Sequence, residues 1–225
     1  MKTITVVIPA YNEEKRIVAT LQAVQKLEAN PQIIVVNDGS SDRTAQLARE
    51  QGVRVVDLEV NRGKGGAMNA VLPLLDADIT VFIDADLGSS AAEAYKIIDP
   101  VLNDRCDLCI AAFPPPAKKG GFGMVKGTAA RAIRRVGNIE VTAPLSGQRA
   151  MTREVLQAVT PFEEAYGVEL GMSIKALQRG FRLLEVPTTM SHNETGRDLR
   201  GFLHRGKQFM DVLRVIRKET RGSVK

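Results

Sequence analysis

The sequence predicts an α/β fold in which a mostly parallel, Rossmann-like sheet carries helices on both faces. Short apolar runs rich in β-branched residues alternate with segments of helical periodicity through the first 112 residues. Each apolar run ends in a polar or glycine-rich loop, which is typical of strands in an open parallel sheet. With 225 residues, of which 44% are hydrophobic and 25% charged, the chain is long enough for one substantial globular domain.

Four strand–helix units are predicted in this first part of the chain. The predicted strands are Ile4–Ile8, Gln32–Val36, Val53–Leu58 and Ile79–Ile83. The helices that follow them are predicted over Glu13–Leu27, Thr44–Gln51, Ala67–Leu75 and Ala91–Leu102, with Asn12 and the pair Ser89 and Ser90 as N-caps of the first and the last. Because ligands of open parallel sheets bind beyond the carboxyl ends of the strands, the connecting loops should converge on one crevice.

The second part of the chain is less regular and ends in an extension. A loop rich in Pro and Gly is expected over residues 113–123, followed by a basic helix over Val125–Val136. The other predicted elements are a turn into a strand over Ser146–Met151, helices over Thr152–Ala158 and Gly167–Arg179, a strand over Phe181–Val186, and a basic amphipathic tail helix over Leu199–Arg217.

Charge is unevenly distributed along the chain. Residues 1–112 carry 11 Lys and Arg against 16 Asp and Glu, a net charge of −5, whereas residues 113–225 carry 20 against 10, a net charge of +10. This asymmetry predicts a negatively charged partner near the C-terminal half. Three Tyr, seven Phe and no Trp offer few stacking platforms, and no nucleic-acid-binding signature stands out, so no nucleic acid partner is expected.

Two further features bear on location and redox chemistry. No apolar run approaches the roughly 20 residues that span a bilayer, and no hydrophobic stretch resembles a signal peptide, so a cytoplasmic location is expected. Cys106 and Cys109 fall in a strand-like segment. A lone cysteine pair cannot complete a four-ligand zinc site, so both are expected to be buried structural thiols.

The segment Asp84-Ala-Asp86 carries the strongest chemical signal. It places two carboxylates at the carboxyl end of a buried strand, where a divalent metal held against a phosphate would find oxygen ligands. The alternative is that one Asp caps the next helix and the other is solvated. Short acidic motifs are common, so the segment alone does not decide between these interpretations.

Four motifs occur in order within roughly the first 90 residues. They are Val6-Val-Ile-Pro-Ala-Tyr-Asn-Glu-Glu14, Val35-Val-Asn-Asp-Gly-Ser-Ser-Asp42, Asn61-Arg-Gly-Lys-Gly-Gly66 and Asp84-Ala-Asp86. In this order and spacing they resemble family-2 glycosyltransferases of the GT-A fold. The resemblance continues more loosely through Ser146-Gly-Gln-Arg-Ala-Met151, Gly167-Val-Glu-Leu-Gly171 and Gly180–Pro187. The pattern is similar to polyprenyl-phosphate mannose or glucose synthases and, less closely, to glucosyl-3-phosphoglycerate synthases.

The resemblance implies an enzyme that transfers a hexose from a UDP- or GDP-sugar to a phosphorylated acceptor. Polyprenyl phosphate is one acceptor that it implies, and a small phosphorylated acid is the alternative. It also implies Mg²⁺ or Mn²⁺ as cofactor. The expected organisation is a nucleotide-sugar-binding subdomain over residues 1–112, an acceptor-side subdomain over 113–190, and a basic loop and tail helix over 191–225.

The resemblance assigns the donor and metal residues as well. Those expected to contact the nucleotide-sugar are Pro9, Ala10, Tyr11, Glu13, Asp38, Lys64, Gly65, Asp84 and Ala85. Asp86 is the main expected metal ligand, with Asp84 and His192 as further candidates. Plainer alternatives stay open: Asp38 as a turn residue, Tyr11 as ordinary packing, and His192 in a surface loop.

On the acceptor side, Glu169 is expected to be the base that deprotonates an acceptor hydroxyl, or else a helix-start acid stabilised by the helix dipole. A phosphate acceptor needs no base, and Arg131 and Arg149, with the loop containing Lys118 and Lys119, would then clamp the phosphate. The segments Gly88-Ser-Ser90 and Thr195-Gly-Arg-Asp198 depart from the lipid-phosphate pattern, so the acceptor stays open.

Three further alternatives remain. The tail helix either lies on an anionic membrane or packs its apolar stripe on the domain; that stripe comprises Phe202, Phe209, Leu213 and Ile216. A non-catalytic nucleotide-sugar-binding module, and a homodimer, also stay open. A nucleotidyltransferase is disfavoured, because Pro9-Ala-Tyr-Asn12 stands where those enzymes carry a Gly-rich loop.

Overall fold

The computed structural model describes residues 2–114, 123–163, 167–191, 210 and 213–219. In this part of the chain seven strands form one sheet in the order β3-β2-β1-β4-β6-β5-β7. All neighbouring strands run parallel except β6, which is antiparallel to β4 and β5. The strands are β1 (Ile4–Ala10), β2 (Gln32–Asn37), β3 (Arg54–Asp57), β4 (Ile79–Phe82), β5 (Leu108–Ala112), β6 (Arg149–Thr152) and β7 (Leu183–Pro187). The predicted mostly parallel α/β sheet is confirmed.

Helices cover both faces of the sheet, as predicted. The α-helices are α1 (Ile17–Gln25), α2 (Thr44–Glu50), α3 (Gly63–Val71), α4 (Tyr95–Leu102), α5 (Gly123–Gly137), α6 (Arg153–Val159) and α7 (Val168–Gln178). Short 3₁₀ segments occupy Leu72–Leu74 and Gly88–Ala94, and residues 213–219 are helical.

Alternation along the central strands builds two separate cores. Val6 and Ile8 of β1 face one side of the sheet and belong to the cluster that contains Leu21 of α1. Val7 faces the other side and belongs to the cluster that contains Met68 of α3. Because successive side chains of a strand point to opposite faces, a strand covered on both sides reads as one continuous apolar run.

A third apolar cluster lies beside the sheet and joins α5, α7 and the tail. Val125 of α5 and Ile174 of α7 are buried together with Val215. Ile216 packs against the same cluster, whereas Leu213 is 38% exposed. The alternative that the tail packs its apolar stripe on the domain is therefore correct for Ile216 and wrong for Leu213. Val215, which was not assigned to the stripe, is buried instead. Phe202 and Phe209 lie outside the described residues.

Two predicted helix starts are wrong. Helix α1 begins at Ile17, and Asn12 does not cap it. Instead Asn12 has a φ of +55° and its Oδ1 accepts a hydrogen bond of 2.9 Å from the Ser41 amide, which ties the loop after β1 to the loop after β2. After β4 the chain first forms the 3₁₀ segment, where the Ser90 hydroxyl donates to the Leu87 carbonyl rather than capping a helix.

The other corrections are shifts of a few residues. Helix α3 begins at Gly63, four residues before the predicted start, so the glycine-rich loop forms the first turn of the helix.

Cys106 and Cys109 are both free and buried, as predicted. None of the described helices combines the length and the apolarity that a bilayer crossing requires.

Candidate active site

The loops singled out in the sequence meet at one edge of the sheet. Ala10, at the end of β1, lies opposite Asn37, at the end of β2, and β4 runs parallel to β1 on its other side. The residues that follow these three strands therefore leave the sheet side by side. The start of α3 and the start of α7 border the same edge, because Lys64 contacts both Asp84 and Glu169.

Asp38 links the loop after β2 to the loop before α3. It is 4% exposed, and its Oδ1 accepts a hydrogen bond of 2.7 Å from the Arg62 amide. The approach is close, because a Cβ at Gly39, where φ is +69°, would lie 2.8 Å from the Asn61 nitrogen. Glycine is required here both for the conformation and for the space.

Tyr11 and Glu13 lie in the loop after β1, whose Ala10 carbonyl accepts a hydrogen bond of 2.9 Å from the Asp38 amide. Tyr11 is 49% exposed, so it is not held in the core by ordinary packing. The Glu13 amide donates to the Thr44 hydroxyl over 2.7 Å, which fixes the backbone at this point. Partial burial raises the pKa of Glu13, and the negative charge of Asp86 raises it further. The charges of Asp42 and Asp84 also raise the pKa of Glu13, whereas the charge of Arg16 lowers it.

Lys64 stands at the centre of the site. Its Nζ lies 2.5 Å from Asp84 Oδ1 and 3.1 Å from Glu169 Oε1. Burial by itself would lower the pKa of Lys64, but the charges of Asp84 and Glu169 outweigh burial and raise the pKa above its ordinary value. The ammonium therefore stays charged across the physiological range. It also separates two carboxylates that would otherwise repel each other.

The second oxygen of Asp84 is held by Gln148, which directly precedes β6. Gln148 is fully buried, and its Nε2 donates to Asp84 Oδ2 over 2.7 Å. The backbone of Gly147 lies directly against the two charged groups, since a Cβ there would lie 2.2 Å from Lys64 Nζ and 2.8 Å from Asp84 Oδ2. Neither Gly147 nor Gln148 was singled out from the sequence. The only available signal was their place in the segment Ser146–Met151, where the charged residue drew attention instead.

The turn after β4 is fastened to α1. The Thr20 hydroxyl donates to the Ala85 carbonyl and accepts from the Gly88 amide, each over 2.8 Å. The Arg16 guanidinium donates to the Asp86 carbonyl over 3.2 Å. These bonds hold Ala85 buried and leave the carboxylates of Asp84 and Asp86 partly exposed at the sheet edge.

The donor set fits a hard divalent cation that is shared with a ligand. Among the described residues no group of three His, Cys, Asp or Glu is close enough to hold a metal alone. Mg²⁺ is usually bound by one or two carboxylates together with substrate phosphates, which matches a site built on Asp86 with Asp84 beside it. The predicted ligand His192 lies outside the described residues.

The two arginines expected at an acceptor phosphate have different placements. Arg131 is exposed on α5. Arg149 is fully buried, and its guanidinium donates to the Ser146 carbonyl, the Ser173 hydroxyl and the Pro144 carbonyl. Burial lowers the pKa of Arg149 to about 10. The prediction that Arg149 clamps a phosphate is therefore wrong, because its donors bind the protein's own loop and helix.

Comparisons of the sequence with known proteins identify a family and several similar enzymes. The family model described as Glycosyl transferase family 2 matches residues 5–160. A glucosyl-3-phosphoglycerate synthase of Mycobacterium tuberculosis is 32% identical over 201 residues, which cover 79% of this chain and 62% of the synthase. The chain thus spans less than two thirds of that relative. A dolichyl-phosphate hexose transferase of Haloferax volcanii is 29% identical over 196 residues, 82% of this chain and 81% of the transferase.

Solved structures of the M. tuberculosis synthase are similar over nearly the whole chain. One, in complex with Mn²⁺, UDP and phosphoglyceric acid, is 28% identical with a TM-score of 0.78, and covers 97% of this chain and 78% of that chain. Another, in complex with Mg²⁺ and UDP, is 27% identical with the same TM-score of 0.78, covering 97% and 79%.

Proposed function

The chain belongs to glycosyltransferase family 2 and has the GT-A fold, and from that premise we propose that it transfers a hexose from a UDP- or GDP-sugar to a phosphorylated acceptor with the help of Mg²⁺ or Mn²⁺. The relatives support this choice, because the synthase was crystallised with UDP and phosphoglyceric acid and the other relative is named a dolichyl-phosphate hexose transferase. Phosphoglyceric acid and dolichyl phosphate both carry a phosphate.

One observation carries the proposal: a single charged lysine joins the two halves of the site. Asp84 follows β4 on the nucleotide side, whereas Glu169 lies in the first turn of α7. Lys64 Nζ contacts both carboxylates, at 2.5 and 3.1 Å. An ammonium at this place is suited to a sugar diphosphate, whose negative oxygens would lie between the donor loops and the acceptor side.

The donor residues fit the parts of a nucleotide-sugar. Asp38, with Pro9, Ala10 and the exposed ring of Tyr11, would form the base and ribose pocket together with Glu13. Lys64 and the amides at the start of α3, near Gly65, would contact the pyrophosphate. Asp86, with Asp84 beside it, would hold the metal. Asp84 and Ala85 would also contact the ribose of the nucleotide. The cation would supply positive charge where negative charge develops on the departing nucleoside diphosphate.

We propose Glu169 as the group that receives a proton. In the proposed reaction the acceptor oxygen bonds to the anomeric carbon as the bond from that carbon to the diphosphate oxygen breaks. With a hydroxyl acceptor, its proton goes to the Glu169 carboxylate, and Lys64 holds that carboxylate in position. With a phosphate-monoester acceptor no proton needs to be removed. Arg131, exposed on α5, is then proposed to contact the acceptor phosphate.

The test is a binding and transfer assay on the full-length protein. Calorimetry with UDP, GDP and their hexose conjugates in the presence of Mn²⁺ identifies the nucleotide. Transfer is then measured to 3-phosphoglycerate and to polyprenyl phosphate in liposomes, and flotation of the same liposomes reports membrane contact by the tail. Asp86→Ala should abolish metal-dependent nucleotide binding and keep the circular dichroism of the unmodified protein.

The outcomes separate the alternatives. Transfer to one acceptor and not the other assigns the acceptor class. Metal-dependent binding of a sugar nucleotide without turnover on any phosphorylated acceptor would favour a non-catalytic binding module. Absence of binding to every tested nucleotide with metal would refute the proposal.

A further inference from the structure

Gln148 is a buried amide that faces a carboxylate of the site. Its Nε2 donates to Asp84 Oδ2 over 2.7 Å, and the side chain has no solvent exposure. Lys64 approaches the other oxygen, Oδ1, at 2.5 Å. Both oxygens of Asp84 therefore receive a hydrogen bond from a different element of the fold, one from α3 and one from the segment that leads into β6.

The backbone that carries Gln148 is itself held in place. The Ala111 amide of β5 donates to the Gln148 carbonyl over 3.0 Å. The buried guanidinium of Arg149 donates to the carbonyls of Ser146, at 2.8 Å, and Pro144, at 3.1 Å. An amide on such an anchored segment has little freedom to follow Asp84 if that carboxylate moves.

The same guanidinium reaches the acceptor side. Its Nη1 donates to the Ser173 hydroxyl over 2.8 Å, and that hydroxyl donates to the Glu169 carbonyl over 3.0 Å. Arg149 thus connects the segment of Gln148 with the first turn of α7. Asp84 and the backbone of Glu169 are thus also connected behind the site, through Gln148, Arg149 and Ser173.

From this arrangement, and resting on the proposed function, we propose that Gln148 is a positioning residue that fixes the orientation of the Asp84 carboxylate for donor and metal binding. Gln148 does not touch the substrate in this role. It acts through Asp84, much as hydrogen bonds behind a metal ligand orient that ligand; loss of such bonds typically costs about 10- to 100-fold in affinity or activity.

The decisive variant is Gln148→Leu, which removes the donor without adding a charge. Gln148→Glu is the second variant, used if the first fails to fold: glutamate has the shape of glutamine, and its ionised carboxylate only accepts hydrogen bonds and repels Asp84. Because burial beside a carboxylate favours a protonated glutamate that donates, this second variant is assayed at the highest pH at which the unmodified protein stays folded. In crystals of either variant without ligand, the Asp84 carboxylate should turn away from its present position. Calorimetry should show UDP binding in the presence of Mn²⁺ weakened by about 10- to 100-fold.

Thr80→Val is the matched control. Thr80 is also fully buried and lies on β4 four residues before Asp84, and its hydroxyl has no hydrogen-bond partner among the described residues. Removing that hydroxyl should change neither the position of Asp84 nor the affinity for UDP.

The two proposals fail in different ways. If the unmodified protein binds UDP with Mn²⁺ and both Gln148 variants bind it equally well with Asp84 in place, the positioning role is refuted and the proposed function stands. If the unmodified protein binds no nucleotide, the proposed function is refuted, and the crystallographic position of Asp84 in the variants still decides the positioning role. A space-filling role predicts an unchanged Asp84 in Gln148→Leu.

Discussion

Gly147→Ala adds a single methyl group at the centre of the site. The new Cβ would lie 2.2 Å from Lys64 Nζ and 2.8 and 3.0 Å from the two carboxylate oxygens of Asp84. Ordinary contact begins at 3.4 Å. The lysine end must therefore withdraw by about 1 Å, and the carboxylate by several tenths of an ångström.

The expected loss follows from the contacts that this movement breaks. Lys64 Nζ holds Asp84 at 2.5 Å and Glu169 at 3.1 Å, so a shift of about 1 Å takes one or both pairs out of hydrogen-bond range. A misplacement of about 1 Å at a reacting centre costs about 10²-fold in rate. The free energy of unfolding should fall by only about 1–3 kcal/mol, as for other overpacked sites.

The assay is kcat/KM for the nucleotide-sugar, with urea unfolding of the same preparations. Gly127→Ala is the control, because Gly127 lies in helix α5 and a Cβ there would meet nothing within 4 Å. That variant should keep full activity and gain about 0.5–1 kcal/mol of stability, since alanine loses less entropy than glycine in a helix. A folded Gly147→Ala protein with the kcat/KM of the control would refute the role in activity given to Lys64 and its contacts with Asp84 and Glu169.

Three further predictions test the surrounding structure. Arg149→Lys should lower the free energy of unfolding by about 3–5 kcal/mol, because the three donors of an ammonium sit on one atom and cannot reach the three acceptors that the buried guanidinium spans; a raised acceptor KM at full stability would restore the phosphate-clamp role. A hydrogen bond from Arg182 holds the pKa of Asp107 below its ordinary value. The pair therefore contributes its full stabilisation above about pH 4, and this contribution is lost as the pH falls through the pKa that Asp107 has in the folded protein. Arg182→Ala should therefore reduce stability at pH 7 more than at pH 3 in urea unfolding, and equal losses at both values would contradict the assignment. Thr152→Ala should cost about 1 kcal/mol by thermal unfolding, because the Thr152 hydroxyl caps α6 at the Val155 amide, and Thr152→Ser, which keeps the cap, should cost less.

Local patterns in the chain were enough to predict which loops meet at the carboxyl edge of the sheet. The apolar runs around Val7 and Val35 are buried on both faces of a parallel sheet, and such strands carry their own signal in β-branched residues. Polar residues directly after those strands must lie at the carboxyl edge, so the neighbourhood of Asp38 and Asp84 followed from chain order alone. The buried state of Cys106 and Cys109 followed in the same way, from the strand pattern around them.

Contacts between distant segments could not be predicted in that way. Arg149 was expected at an acceptor phosphate because guanidinium groups suit phosphate oxygens, yet the surrounding carbonyls satisfy its guanidinium. Asn12 was expected to cap a helix, since its side chain suits that role, but a bond to the Ser41 amide competes with it. In both cases the partner belongs to a segment whose approach no local pattern encodes.

The sequence by itself determined the alternation of strands and helices, the edge at which the polar loops gather, and the place of Asp84 and Asp86 at that edge. Only the tertiary structure decided what surrounds these carboxylates: Lys64 between Asp84 and Glu169, Gln148 on the second oxygen of Asp84, and no room for a Cβ at Gly147. The physical reason is that periodicity and turn chemistry act over a few residues, whereas these hydrogen bonds join residues that packing of the whole sheet brings together.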